Sequence, residues 1–197
     1  MYQIKRMFAR HIEENLLKYI LVLSIFAAGV LAGLLFSQNV SDSLSEGLRQ
    51  EIGTLIDGFS EGNFDKSQIL KTSFIKNLRI VLFIFIGGFS AFLLPAIFAA
   101  LSSYGFSIGF TIGYLSICFG GQGLAITVVS VILAFLINIP IYMSLSVVAF
   151  NNCRNRKYKD GNFAAYLLVF GFLFLILLVS VAADAFIIPI LITLICS

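Results

Sequence analysis

Few residues in this 197-residue chain have the types that catalysis needs, and their spacing keeps them apart. The one histidine, His11, lies in the charged N-terminal segment with no His or Cys near enough in sequence to complete a metal site. A Ser–His pair there would lack an orienting acid. Glu46, Glu51, Asp57, Glu61 and Asp65 recur along one polar segment and read as a solvated face, not as two carboxylates flanking a cleft. Cys118, Cys153 and Cys196 are too scattered for a disulfide framework or a zinc cluster and read as unpaired thiols. Gly120-Gly121-Gln122-Gly123 matches neither a P-loop nor a dinucleotide fingerprint and reads as a tight turn. What remains is polar chemistry inside apolar runs. Asn138 and Pro140 sit in FLINIPIYMS, and Asp184 is the sole charge between Phe163 and Cys196. A carboxamide beside a proline-freed carbonyl could form a polar substrate or ion site, or bond a neighbouring helix. Thr127 and Ser130 share a helical face with Asn138, although hydroxyls also bond back to their own backbone. No cofactor, metal or nucleic acid is expected to bind.

The elements that must carry these residues follow from composition. The chain is 59% apolar and 12% charged, with a mean hydropathy of +1.01. A soluble domain is about 25% charged, so lipid must solvate much of this surface. The fold class is all-α: a polytopic integral membrane helix bundle of about five transmembrane helices, forming one membrane domain over 1–197. A span needs about 20 apolar residues, which places spans at 19–36, 80–101, 103–119, 124–150 and 163–183. The apolar tail 184–197 is expected to lie in the interface, with Asp184 at the membrane edge; Asp184 inside the bundle is the alternative, and would mark it as functional. The first apolar run lacks the short length and cleavage site of a signal peptide.

Outside the spans, 1–18 reads as an interfacial amphipathic helix, with Lys5, Arg6 and Arg10 beside anionic headgroups. Segment 37–79 reads as a helical hairpin. Leu44, Leu48, Ile52, Leu55 and Phe59 recur at helical spacing, and Ser43 with Glu46 fits a capping box. Gly58, Gly62 and Asn63 supply a stop, and a second helix is expected after Ser67. Basic residues in 1–18 and in 151–162 put both segments on the cytoplasmic side, which leaves the hairpin outside. Lys71, Lys76 and Arg79 beside the second span are the counter-signal.

Gly29 and Gly33 are four apart, and Gly105, Gly109 and Gly113 repeat that spacing. Small residues so spaced let helix backbones approach closely in lipid. They serve packing within the chain, or a partner helix or homo-oligomer.

The stretch FIKNLRIVLFIFIGGFSAFLLPAIFAALSSYGFSIGFTIGYL resembles the central motif of the stage II sporulation protein M family. Asn77 precedes a span, Gly87 and Gly88 lie within it, and Gly105, Gly109 and Gly113 follow. Asn138, Ile139 and Pro140 resemble the Asn and Ile-Pro of its sporulation branch. Other branches carry a His-Gly and a Glu after the third span; with no His there, a role tied to that motif does not transfer. The resemblance implies a non-catalytic scaffold in the bacterial cell membrane, at the mother-cell side of the sporulation septum. It implies as partners two peptidoglycan hydrolases, stage II sporulation proteins D (a transglycosylase) and P (an amidase), which remodel septal wall during engulfment. A small transporter or export component using the Asn138 face is the competing expectation, and an intramembrane enzyme a more distant one.

Overall fold

The computed structural model describes residues 13–60, 65–157 and 163–196. The expected interfacial helix 1–18, with His11, falls largely outside them, and Lys159 of the basic segment lies outside them too. The hairpin turn at 61–64 does so entirely.

The first helix, α1 (Leu16–Ser37), is apolar on all sides, as a lipid-solvated helix should be. A turn leads to α2 (Asp42–Ser60). The Ser45 amide bonds the Ser41 carbonyl, so this helix starts two residues before the expected Ser43 cap. Helix α3 (Lys66–Gly87) opens on Asp65, whose side chain accepts from the amides of Ser67 (2.9 Å) and Gln68 (3.4 Å). That cap satisfies two of the amides a helix start leaves orphaned.

Helix α3 then stops at Gly87. A turn through Gly88–Ser90 and a 3-10 turn (Ala91–Leu93) lead into α4 (Leu94–Leu133). This corrects two expected spans. Residues 80–101 do not form one helix, and no break occurs between 101 and 103. The reason is Pro95: lacking an N–H, it belongs in the first turn of a helix, where none is needed. Ser90 assists by accepting from the Phe92 amide at 3.4 Å. The second arm of the 37–79 segment runs without interruption into the bundle, as a helix that feeds the second span, and carries Asn77, which is buried, with it.

Helix α4 folds back on itself at Gly120 (φ 54°, ψ −128°), a conformation open essentially to glycine. A Cβ at Gly123 would meet the Leu115 carbonyl, which shows how closely the two arms approach. Gly120→Ala should therefore cost about 1–3 kcal/mol, read as a lowered melting temperature in detergent. The returning arm widens into a π turn (Ala134–Asn138) and continues as α5 (Ile139–Lys157). Pro140 explains the widening: it has no N–H for the carbonyl four residues back, and its ring clashes there.

Helix α6 (Phe163–Cys196) is continuous through Pro189. Asp184 is therefore mid-helix, and the expected interfacial tail 184–197 is instead the last turns of this helix, as far as the described residues reach. Ile192 packs with Leu115, Ile126 and Ile52 of α2, which keeps that end beside the bundle.

The described residues thus make five passes along one bundle: α1, α3, the first arm of α4, its second arm with α5, and α6. Among the described residues, four helices are long and apolar enough to cross a membrane, Leu16–Ser37, Ala91–Gly121, Leu136–Arg154 and Phe163–Thr193. The other pass, α3, is apolar only from Ile80 onward and carries Lys66, Lys71, Lys76 and Arg79 before that. One end of the bundle, the base, holds Asn15, Gly88, Asn151 and Tyr166. The other, the head, holds Ser37, α2, Asp65 and Gly120.

Candidate functional site

Three constellations stand out, at the seam, the core and the base. The seam joins α1 to the first arm of α4, which run parallel. A Cβ at Gly29 would collide with the Ser102 carbonyl, at Gly33 with that of Phe106, and at Gly109 with that of Val30. Gly105 faces the Phe26 carbonyl and Gly113 the Ser37 hydroxyl. All five glycines are taken up by this contact inside the chain. The ring of Phe36 flanks those of Phe106 and Phe110, at 5.6 and 6.1 Å.

The core is a polar layer across the bundle. Asn77 on α3 and Tyr142 on α5 are each 1% exposed, and the tyrosine hydroxyl donates to the amide oxygen. The Asn77 amide nitrogen donates in turn to the Ser73 carbonyl at 3.0 Å, which fixes its orientation. Tyr104 on α4 packs edge-on against Tyr142, ring centroids 5.0 Å apart. Its hydroxyl interacts with Asn138, but no conventional hydrogen bond satisfies either the Tyr104 hydroxyl or the Asn138 amide oxygen. Both are buried, and buried polar atoms of this kind are costly. Asp184 on α6 lies beside Ser73 and faces Lys76, both on α3. The expected break after Asp184 is thus corrected: α6 does not end there, and the carboxyl packs laterally against α3.

The sequence-singled residues separate here. Asn138 joins the layer, whereas Pro140 is exposed on the outside of its helix. Thr127 bonds back to the Gly123 carbonyl at 2.8 Å and contributes nothing to a shared polar face. Tyr104 and Tyr142 carry little signal in the sequence, because a tyrosine in an apolar run reads as ordinary core. Their one sequence signal is that each lies one helical turn from another polar residue, Ser107 or Asn138.

Beside the core, a groove of about 740 Å³ opens between α3 and α4. Lys76 and Arg79 form one wall, and Ser103, Ser107 and Thr111 the other. Asn138 does not line it.

At the base, Lys18 donates to Asn15 (2.7 Å) and to Asn151, and Asn151 donates to Asn15 at 3.0 Å. Asn152 caps the α3 terminus through the Gly88 carbonyl at 2.9 Å. Tyr166 donates to the Phe85 carbonyl at 2.8 Å and stacks on the Phe85 ring. A Cβ at Gly88 would strike that tyrosine hydroxyl, and one at Gly87 would strike Ile97. Asn77, Gly87 and Gly88 thus lie where α3 meets α5, α4 and α6. Among the described residues, no three His, Cys, Asp or Glu side chains group closely enough to hold a metal ion.

The family model for stage II sporulation protein M matches residues 22–189, from within the seam to the last turns of α6. The chain belongs to that family. It is a sporulation-related membrane protein, and the family is not a known enzyme family. Comparison with curated proteins and with solved structures returned no match. The match takes in the seam, the core layer and the Gly88 turn together, and reaches well past the 74–150 stretch that carries the resemblance in sequence.

Proposed function

We propose that this family member is a non-catalytic scaffold of the engulfment machinery, holding stage II sporulation proteins D and P at the septal membrane. The observation that carries the reading is the seating of α2. Its inner side is fixed to the bundle: the Tyr114 hydroxyl donates to the Ser45 carbonyl at 2.6 Å, and Ile52 packs on Leu115, Ile126 and Ile192. Its outer side presents Glu46, Arg49, Gln50, Glu51 and Thr54 to solvent. A fixed helix with a free polar face at one end of a membrane bundle is a platform on which an extracytoplasmic protein can dock. With the base cytoplasmic, as the basic residues of 1–18 and 151–162 favour, this platform faces the cell wall.

Two measurements test it. In cells, Gln50→Cys should react with an impermeant thiol reagent from outside and Arg154→Cys should not; the opposite pattern turns the platform away from the wall and sinks the proposal. In pull-downs at native expression, both hydrolases should accompany the wild-type chain. The double charge reversal Glu46→Lys/Glu51→Lys should reduce that recovery at least tenfold while altering stability by no more than about 0.5 kcal/mol, as exposed substitutions do. If neither hydrolase is recovered, and deletion leaves septal wall thinning normal, the scaffold reading is wrong.

A further inference from the structure

We infer that the groove between α3 and α4 is a lipid site, which takes the phosphate of an anionic membrane lipid between Lys76 and Arg79. The inference is independent of the scaffold reading.

Depth comes first. Along the parallel seam Ser37 sits beside Gly113, and Phe26 beside Gly105. Lys18 to Ser37 covers about 28 Å at 1.5 Å per residue, close to the thickness of a hydrocarbon core. On α4 the head-side edge of that core therefore lies near Gly113. Thr111 stands at the edge, Ser107 about 9 Å below it and Ser103 about 15 Å below it. The groove thus descends from the head-side interface to mid-membrane. Lys76 and Arg79 line it at this depth and are both exposed. Cations placed in the hydrocarbon region are expensive and mark a function or a partner.

The lining then selects the ligand. Ser103, Ser107 and Thr111 recur every four residues, so they form one row opposite the two cations; Thr111 donates back to the Ser107 carbonyl at 2.8 Å, which leaves the two serine hydroxyls as the donors of the row. Phosphate oxygens suit such a mixture of guanidinium, ammonium and hydroxyl donors. Tyr104 also lines the groove; it is only 5% exposed, and its hydroxyl, beside Asn138, makes no conventional hydrogen bond. Asp184 occupies the inner side of Lys76, which leaves Arg79 as the principal anion contact. Below the cations the lining turns apolar, through Ile80, Phe83, Ala99 and Ala100. Leu82 and Ile86 continue an exposed apolar surface toward the base. A cationic upper half over an apolar lower half fits an amphiphile with its headgroup drawn down and its acyl chains along α3. A free anion would leave the lower half empty, and a partner helix would have to bury two cations against one face.

Native mass spectrometry of the full chain, released from detergent with phosphatidylglycerol or phosphatidylcholine, tests this. Phosphatidylglycerol should be retained at least tenfold more strongly, and Arg79→Gln should abolish the preference. Ser103→Leu, which fills the groove from an exposed position and leaves the core untouched, should do the same and decides the matter if Arg79→Gln does not fold. Equal retention of the two lipids, or a preference unchanged in Ser103→Leu, overturns the proposal. So does complete displacement of the lipid by inorganic phosphate, which would make this a free-anion site. Co-purification of a partner helix that Ser103→Leu releases, with no lipid preference, overturns it in favour of a protein interface.

Discussion

Gly109→Leu is expected to leave almost no monodisperse protein after mild detergent extraction. The new side chain must start from a Cβ that already overlaps the Val30 carbonyl, and the Val30 carbonyl carbon would stand 2.8 Å away. Ordinary overpacking costs about 1–3 kcal/mol because neighbouring side chains shift. Here the obstacle is backbone, so relief requires the helices to part along their length. Parting them costs every contact of the seam at once, including the Phe26–Tyr104 ring pair at 6.1 Å. Gly33→Leu should fail in the same way, since its Cβ would overlap the Phe106 carbonyl. Gly171→Ala is the control. Nothing lies within 4 Å of a Cβ there, and the change should be neutral or stabilise by up to about 1 kcal/mol. Size-exclusion profiles with thermal melts separate the two classes. A Gly109→Leu protein that melts with the wild type would show that the seam does not hold the bundle.

Tyr142→Phe should destabilise by about 1–3 kcal/mol, because it strands the Asn77 amide oxygen in a buried site. Single interhelical hydrogen bonds in membranes average only about 0.6 kcal/mol, since alternatives are found when the helices separate. The core layer argues for the upper part of the range. Asn77 is locked by its second bond to Ser73, so it cannot rotate to a new donor. Asn77→Leu alone should be equally harmful, leaving the tyrosine hydroxyl buried and unpaired. The double variant Asn77→Leu/Tyr142→Phe should cost clearly less than the sum of the two. Melting temperatures of the four proteins form the cycle, and strict additivity would mean that the two side chains do not interact.

How much of this was legible beforehand varied with the kind of signal. The first span was readable to within a few residues, 19–36 against Leu16–Ser37, because a run of that length without charge has few other fates. Pro95 misled, since a proline in an apolar run reads equally well as a kink or as a helix start. The neighbouring Gly87-Gly88 and Ser90 decide between these only through contacts with Tyr166, Ile97 and the Phe92 amide. Asp184 misled for a related reason. A lone charge near the end of a long apolar run suggests a membrane edge unless its partners are known, and Ser73 and Lys76 lie more than a hundred residues earlier. The groove was invisible as a site. Lys76 and Arg79 looked like flank charges, and Ser103, Ser107 and Thr111 like ordinary helix residues, until the antiparallel pairing of α3 with α4 set them face to face.

The parallel seam has a consequence for synthesis. Gly29 meets Ser102, so α1 waits during synthesis for a partner made 73 residues later. At 5–20 residues per second that wait lasts about 4–15 s. During it, α1 rests in lipid with its glycine face open, while α3 inserts without closing that face. Only when the first arm of α4 arrives, running the same way as α1, can the two backbones lock. The order of manufacture thus differs from the order of assembly, and the nascent chain passes through a stage in which its most adhesive surface is uncovered.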